Sequence, residues 1–304
     1  MSRRCPSRKS RGRPLNGWLV IDKPAGKTST GVVAEVKRIT QAAKAGHGGT
    51  LDPLATGILP VALGEATKTV PYLMDRAKSY RFTVRWGETR TTDDEEGEVT
   101  GTSDVRPSGP DIEAVLPNFI GEIEQMPPIF SAIKVGGQRA YDLARKGETV
   151  ELAPRQVLVT RFAMTSCPDT DSSEFEVDCG KGTYVRALAR DLATALGTRG
   201  YVARMRRTLV GPFYDPAAIS LDKLAEFSHS AALFEAILPV ETVLDDIPAL
   251  ALTGPQADRL SSGQMVRVLN AADGLCRARS AEQFVALAEA KDGEIRPLRV
   301  FNLR

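Results

Sequence analysis

The stretch Gly46-His47-Gly48-Gly49-Thr50-Leu51-Asp52-Pro53-Leu54-Ala55-Thr56-Gly57-Ile58-Leu59-Pro60 sets a single carboxylate among four glycines and runs directly into an apolar strand. Glycines let a backbone approach a ligand closely and adopt positive φ. Asp52 precedes Pro53, whose ring biases the residue before it toward extended geometry, so the carboxylate is aimed rather than mobile. In a plain turn such an Asp would satisfy its own backbone amides, and the density of glycines here exceeds what a turn needs. A carboxylate presented in this way can attack electrophilic carbon, the anomeric carbon of a sugar included, with no metal and no organic cofactor.

Other chemistries find little to draw on. The chain has two histidines, His47 and His229, and four scattered cysteines, Cys5, Cys167, Cys179 and Cys276, without a C-x-x-C pair. A zinc site, a disulfide framework and a Ser-His-Asp relay therefore lack material, and no metal is predicted. Gly26-Lys27-Thr28 resembles the end of a phosphate loop, but that motif wants a glycine five positions before Gly26, where Ile21 sits in an apolar strand. A glycosidase would bring a second carboxyl acid in a comparable setting, and none stands out.

At 304 residues, 42% hydrophobic and 26% charged, the chain can bury a substantial core and divides into one large domain and a smaller one. No apolar run approaches the roughly 18 to 20 residues that cross a bilayer, so no membrane association is predicted. Scattered thiols point to a reducing, cytoplasmic setting. The net charge of +2 hides an asymmetry, because Arg3, Arg4, Arg8, Lys9, Arg11 and Arg13 lie near the start with no acid among them. Residues 1–14 read as a disordered basic arm. It serves either as an electrostatic contact to nucleic-acid phosphates or as a solvated tail.

The elements that must position Asp52 follow from periodicity. Residues 17–22 form an apolar strand that stops at Lys23-Pro24, and Thr28, Ser29 or Thr30 can cap a helix carrying Val32, Val33, Val36 and Ile39 at helical spacing. Residues 58–63 read as a buried strand and 65–73 as a short helix with Pro71 disturbing its end. In 78–86, Tyr80, Phe82, Val84 and Trp86 alternate with Arg81, Thr83 and Arg85, the pattern of a half-buried strand. On that pattern alone Tyr80 is a core aromatic. The polar stretch 87–97 holds Asp93, Asp94, Glu95 and Glu96, any one of which could turn inward to hold an arginine.

A helix at 111–119 and a strand at 121–125 precede an excursion from the sheet, 126–141, continued by a short helix at 142–146. Lys134, Arg139 and Arg145 equip it either as an RNA-gripping flap or as a surface hairpin. Strands follow at 156–165 and 174–179. The run from Lys181 to Leu192 begins a helix with the apolar stripe Val185, Leu188, Ala189 and Leu192. Arg186 falls near its N-terminal end, where a cation gains nothing from the helix dipole, so an anionic partner is implied. Arg199, Arg204, Arg206 and Arg207 lead into a strand at 208–210 and read as a solvated basic edge. Helices at 220–227 and 231–238 close the large domain, and short alternating runs make the remainder a small β-rich module.

The glycine-framed block 46–57, with Asp22-Lys23-Pro24 before it, Lys78-Ser79-Tyr80-Arg81 after it and Lys181-Gly182-Thr183-Tyr184-Val185-Arg186 later, closely resembles the TruB family of tRNA pseudouridine synthases. The blocks stand in family order over about residues 15 to 240. The resemblance implies an α+β fold with a mixed, curved central β-sheet flanked by helices in a catalytic domain spanning 15–240. It also implies a thumb-like insertion at about 126–147 and a C-terminal domain, 241–304, similar to a PUA domain. The implied activity is isomerisation of the uridine at position 55 in the TΨC loop of tRNA, without a cofactor, by a monomer.

Carried over by position, Asp52 matches the catalytic aspartate, Tyr80 the tyrosine that stacks on the flipped base, and Arg186 the arginine paired with the aspartate. Lys23, His47, Asp94, Tyr184 and Leu209 match positions that line the substrate site. In that setting Asp94 would orient Arg186, and His47 would help displace the base or hold the loop. A base must be unstacked before its glycosidic bond is attacked, and an aromatic face recovers part of that cost. Two atoms are open to attack by Asp52, the ribose C1′ and the uracil C6. Gly48 stands where the family usually has Thr, and Thr91 where Asp is frequent. The alternative reading is an RNA-binding or RNA-folding protein that uses the same cleft without turnover.

Overall fold

The computed structural model describes residues 12–303 apart from 132, 146, 149 and 282, and gives only the backbone of 134, 139, 142 and 145. The first strand, β1 (Gly17–Lys23), is buried along nearly its whole length. Leu19 and Ile21 enter one core while Trp18 and Val20 enter another, which explains an unbroken apolar run in place of an alternation. Helix α1 (Ser29–Thr40) begins at Thr28, whose hydroxyl accepts from the Gly31 N–H at 3.0 Å, and buries Val32, Val36 and Ile39. Strands β2 (Ala45–His47) and β3 (Thr56–Leu63) bracket the glycine-rich stretch, and they pair antiparallel with His47 opposite Val61.

The helix expected at 65–73 is two pieces, a 3-10 turn at Gly64–Lys68 and α2 (Val70–Met74). Pro71 sits in the first turn of α2, where a missing N–H costs no hydrogen bond, so it opens that helix instead of disturbing an end. Strand β4 (Lys78–Trp86) alternates buried and open side chains along its length. The hairpin of β5 (Glu88–Arg90) and β6 (Val99–Thr102) follows. Helix α3 (Gly109–Val115) starts ahead of the periodic pattern because Ser108 and Asp111 form a capping box. It tightens into a 3-10 turn at Leu116–Phe119.

Beyond β7 (Gly121–Gln125) the chain leaves the sheet, turns through the hairpin β8 (Lys134–Val135) and β9 (Gln138–Arg139), and forms α4 (Ala140–Arg145). It returns in β10 (Arg155–Asp169) and β11 (Ser172–Cys179). Helix α5 (Val185–Ala195) begins at Val185 rather than at Lys181. The strand foreseen at 208–210 is the end of the much longer β12 (Gly200–Val210), which runs on to the short β13 (Phe213–Tyr214). Its arginines had hidden it as a solvated edge, whereas Arg207 is only 1% exposed.

The main sheet runs β1-β3-β12-β4-β11-β10-β7, with β12 parallel to β3 and the remaining pairs antiparallel. Helices α6 (Leu221–Phe227) and α7 (Ala231–Ala236) join α1 and α5 over one face, where the main core gathers Val32, Val36, Leu188, Leu192, Leu224 and Leu233 against the sheet. The C-terminal part holds β14 (Ala249–Ala251), α8 (Gly254–Ser261), β15 (Val266–Arg267), β16 (Gly274–Arg279), β17 (Phe284–Lys291) and β18 (Glu294–Val300). They make a second sheet in the order β14-β16-β17-β18-β15. The architecture is α+β with a mixed central sheet and a β-rich C-terminal module, the class the family resemblance implies.

That module packs through a second core, in which Trp18, Ile58, Val210 and Phe213 meet Val243, Leu244, Phe284, Leu287 and Phe301. Polar ties reinforce it: Lys68 Nζ donates to the Val300 carbonyl at 2.8 Å and the Asn302 N–H to Glu65 Oε2 at 2.8 Å. The basic arm lies outside the described residues up to Arg11. Arg13 is already fastened to the body through its N–H to the Gln41 carbonyl at 2.7 Å. Among the described residues no helix is long and apolar enough to cross a membrane, and no cluster of His, Cys, Asp and Glu is placed to hold a metal.

Candidate active site

The loop between β2 and β3 carries Asp52, and three neighbouring elements fix its course. From α1, the Ser29 hydroxyl donates to the Leu51 carbonyl at 3.0 Å and accepts from the Leu51 N–H at 2.8 Å. From the end of β1, Lys23 Nζ donates to the carbonyls of Pro24 at 2.8 Å and Pro53 at 3.0 Å. From β12, Arg207 Nε donates to the Ile58 carbonyl at 2.8 Å, while its terminal nitrogens reach the carbonyls of Thr50 at 3.3 Å and Gly49 at 3.1 Å. Gly57 has φ +94°, and a Cβ there would lie 2.2 Å from the Arg207 carbonyl. Only glycine lets the loop rejoin the sheet against β12 at this spacing.

Asp52 meets its partner across 134 residues of sequence, with Arg186 Nε donating to Asp52 Oδ2 at 2.9 Å. The two ends of this pair differ in environment. The Arg186 side chain is 4% exposed, whereas that of Asp52 is 33% exposed, so the carboxylate keeps an open side. Arg186 also donates to the carbonyls of Thr92 at 2.7 Å and Phe130 at 3.0 Å. Its Nη1 lies 3.5 Å from Asp94 Oδ2. These anions and carbonyls offset the unfavourable position of a cation in the first turn of α5.

Asp94 is the acid of the polar loop that turns inward. It is 2% exposed. Burial pushes its carboxyl above the usual value, and the Thr92 hydroxyl and the charge of Arg186 oppose that rise. The loop is docked on β12 by hydrogen bonds from Val202 N–H to the Asp93 carbonyl and from Glu95 N–H to the Val202 carbonyl, each 3.1 Å. Lys23 is fully buried. Desolvation lowers its ammonium to about 8, although the negative charges of Asp52 and Glu96 pull the other way.

Tyr80 is 8% exposed and lies on β4 opposite Arg207. Burial raises its phenol, so the ring stays neutral. The remaining predicted positions lie at the end of β2, at the start of α5 and on β12. His47 closes β2 at the start of the loop. Tyr184 precedes α5 as its capping residue and carries the Arg155 guanidinium 5.2 Å above its ring. Leu209 is half-buried on β12 opposite Ser79, past a bulge that follows Arg207.

At Gly48, where a Thr was the familiar residue, an added Cβ would fall 2.3 Å from Leu73 Cδ2. Leu73 is fully buried, so in this chain its side chain fills the space that the larger residue would take. Thr91 is exposed, and its hydroxyl accepts from the Glu98 N–H at 3.1 Å. That bond supports the turn of the acidic loop.

Several site-building residues escaped the sequence reading. Arg207 looked like part of a basic edge, and Gln125 and Arg190 carried no motif. Gln125 is 1% exposed, and its side-chain amide accepts from the Tyr184 N–H at 2.8 Å and donates to the Tyr184 carbonyl at 3.1 Å. Arg190 donates to Asp93 Oδ2 at 2.9 Å and to the Met126 carbonyl at 2.7 Å. The one signal available was spacing, since Arg186 and Arg190 lie four apart and share a helix face. The side chains of Lys134, Arg139 and Arg145, read as an RNA grip, lie outside what the structure describes.

Comparison with known proteins shows the family and the fold. Residues 37–185 match the N-terminal domain of TruB family pseudouridylate synthases, 186–245 the C-terminal domain of tRNA pseudouridylate synthase B, and 248–301 the C-terminal region of pseudouridine synthase II TruB. The tRNA pseudouridine synthase B of Caulobacter sp. (strain K31) is 53% identical over 98% of this chain and 99% of its own. That of Bradyrhizobium diazoefficiens is 56% identical over 96% of this chain and 87% of its own. Among solved structures, a chain of a Cbf5-Nop10-Gar1 complex superposes with a TM-score of 0.71 at 27% identity, covering 94% of this chain and 84% of that one. A chain of an H/ACA RNP bound to a substrate RNA containing 2′-deoxyuridine reaches 0.74 at 24% identity, covering 98% and 92%, and shares the fold.

Proposed function

The chain belongs to the TruB family of pseudouridylate synthases, and from that premise we propose that it isomerises uridine to pseudouridine at position 55 in the TΨC loop of tRNA, with Asp52 as the nucleophile. The observation that carries the reading is the asymmetric Asp52–Arg186 pair. Arg186 is buried and holds one oxygen of Asp52, while a third of the carboxylate side chain remains open to an incoming nucleoside. A charge-assisted hydrogen bond of this kind fixes the direction in which a carboxylate points. Relatives named tRNA pseudouridine synthase B, matched over almost their whole length, supply the substrate class.

In this account the target nucleotide is flipped out of its loop, and the aromatic face of Tyr80 recovers part of the lost stacking. Asp52 adds to the nucleoside, the N1–C1′ bond breaks, and the uracil turns to present C5. A C5–C1′ bond forms, the proton on C5 leaves, N1 takes up a proton, and Asp52 is released. Leaving group and returning nucleophile are the same base, so the atoms balance with no co-reactant. Lys23, Asp94 and Arg207 hold the loop and the arginine; His47, Tyr184 and Leu209 line the approach. The enzyme acts as a monomer in the cytoplasm.

The test is pseudouridine mapping on an unmodified tRNA transcript incubated with purified protein and no added cofactor. Conversion at position 55 is expected, and none in a transcript carrying cytidine there. Conversion at a different uridine would overturn the assigned position. Tight binding with no conversion in any tRNA would leave the non-catalytic RNA-binding reading in its place.

A further inference from the structure

The insertion that leaves the sheet after β7 is bolted to α5 at its root, and the same helix carries Arg186, the partner of Asp52. Gln125, the last residue of β7, forms a two-way amide pair with the backbone of Tyr184, at 2.8 and 3.1 Å. Tyr184 is the capping residue of α5 and has no side-chain cap of its own. A buried amide that both donates and accepts fixes the peptide plane at which the helix begins. Two residues further on stands Arg186.

The second bolt is Arg190, one turn along the same face. Arg186 and Arg190 make parallel sets of bonds. Each reaches the acidic loop, at the Thr92 carbonyl for Arg186 and Asp93 Oδ2 for Arg190, at 2.7 and 2.9 Å. Each also reaches the root of the insertion, at the Phe130 carbonyl for Arg186 and the Met126 carbonyl for Arg190, at 3.0 and 2.7 Å. Only Arg186 goes on to Asp52. Asp191 Oδ1, 2.9 Å from Arg190 Nε, holds the second guanidinium from its other side.

We propose that Gln125 and Arg190 are positioning residues for the Arg186–Asp52 pair, so that residues 125–130 belong to the active site. The inference rests on the proposed uridine isomerisation for its kinetic readout. The physical logic is leverage. If the root shifts, the Phe130 carbonyl moves, Arg186 follows its acceptor, and Asp52 loses its aim. A displacement on the order of 1 Å at a reacting group costs roughly 100-fold in rate.

The experiment compares Gln125→Met, Arg190→Met and Arg190→Lys with the unchanged protein under single-turnover conditions, with tRNA binding measured separately. The two Met variants are expected to slow the bound-state step at least about tenfold with the tRNA Kd within twofold, and Arg190→Lys to recover part of the rate. A readout independent of turnover is the Nε–H resonance of Arg186 in protein with 15N-labelled arginine, which should shift or broaden in both Met variants. Slower turnover together with an unmoved resonance would overturn the proposal, as would a raised Kd with an unchanged bound-state rate, since that would make the root an RNA contact. If the unchanged protein forms no pseudouridine, the functional reading has failed, and the resonance alone then decides the positioning claim.

Discussion

The Asp52 loop and the insertion after β7 are both irregular departures from one sheet, and they are held in opposite ways. The loop is fastened along its length by Ser29, Lys23 and Arg207, buried side chains from three different elements. Beyond Ser131 the insertion's described backbone bonds outside its strands and helix stay within the segment: Ala140 N–H to the Ile133 carbonyl, Tyr141 N–H to the Ser131 carbonyl, Gly147 N–H to the Ala144 carbonyl and Glu148 N–H to the Leu143 carbonyl. Its described side-chain bonds to α5 are at the root, from Gln125, Met126 and Phe130. The contrast separates two demands. On the proposed function, Asp52 must arrive at its carbon within a fraction of an ångström, whereas the insertion would serve to admit RNA.

Removing the guanidinium that joins the two regions breaks the comparison most severely. Arg186→Met leaves Asp52 and the buried Asp94 without their cation, and a rate loss of roughly 10³-fold is expected, about 4 kcal/mol of activation free energy. Single-turnover kinetics at saturating tRNA checks this. Arg207→Met comes next. It strips donors from three carbonyls of the loop and its exit strand, and destabilises the fold by about 3 kcal/mol. A calorimetric Tm lower by roughly 6 to 12 °C is expected, together with a reduced bound-state rate and an unchanged salt dependence of binding.

The tip of the insertion should behave in the converse manner. Lys134→Ser combined with Arg139→Ser is expected to weaken tRNA binding about tenfold and flatten the log Kd against log salt plot by about 1 to 2 units, while leaving the bound-state rate intact. A slower chemical step would show that tip and loop are not separable. The smallest effect concerns pH. Lys23 titrates at about 8 in the folded chain against an ordinary value of 10.5. Between those values the unfolded chain holds a proton that the folded chain has released, so this residue makes stability rise with pH. Lys78, also lowered to about 8 by burial, adds a parallel rise. Lys23→Met should therefore flatten part of the increase in urea midpoint between pH 7.5 and 9.5, measured as the difference from the unchanged protein.

The sequence was most readable where one physical rule acted alone. Strand β4 alternates because one face is buried, and α1 carries its cap and its apolar stripe in plain order. Reading failed where two rules competed. Arg204, Arg206 and Arg207 made β12 resemble a solvated edge, yet Arg207 is buried because backbone carbonyls of the neighbouring loop take up its donors. Pro71 was read as a disturbance since position within a turn is invisible to composition. Asp52 stood out through its glycine frame, but its meeting with Arg186 is a matter of topology, set by the pairing of β3 with β12 and the packing of α5 behind them. Family resemblance, rather than periodicity, connected those residues. Gln125 had neither motif nor pattern, because one buried amide leaves no period in a sequence.

The central claim is that Asp52 performs the chemistry and that the rest of the site holds it in place. Asp52→Asn keeps the shape of the side chain and removes its nucleophilic charge. The decisive measurement is pseudouridine formation and tRNA affinity for that variant on the same unmodified transcript. The account predicts no detectable pseudouridine over many enzyme equivalents, with a Kd close to that of the unchanged protein. Pseudouridine formed at the unchanged rate would contradict it and require a different nucleophile.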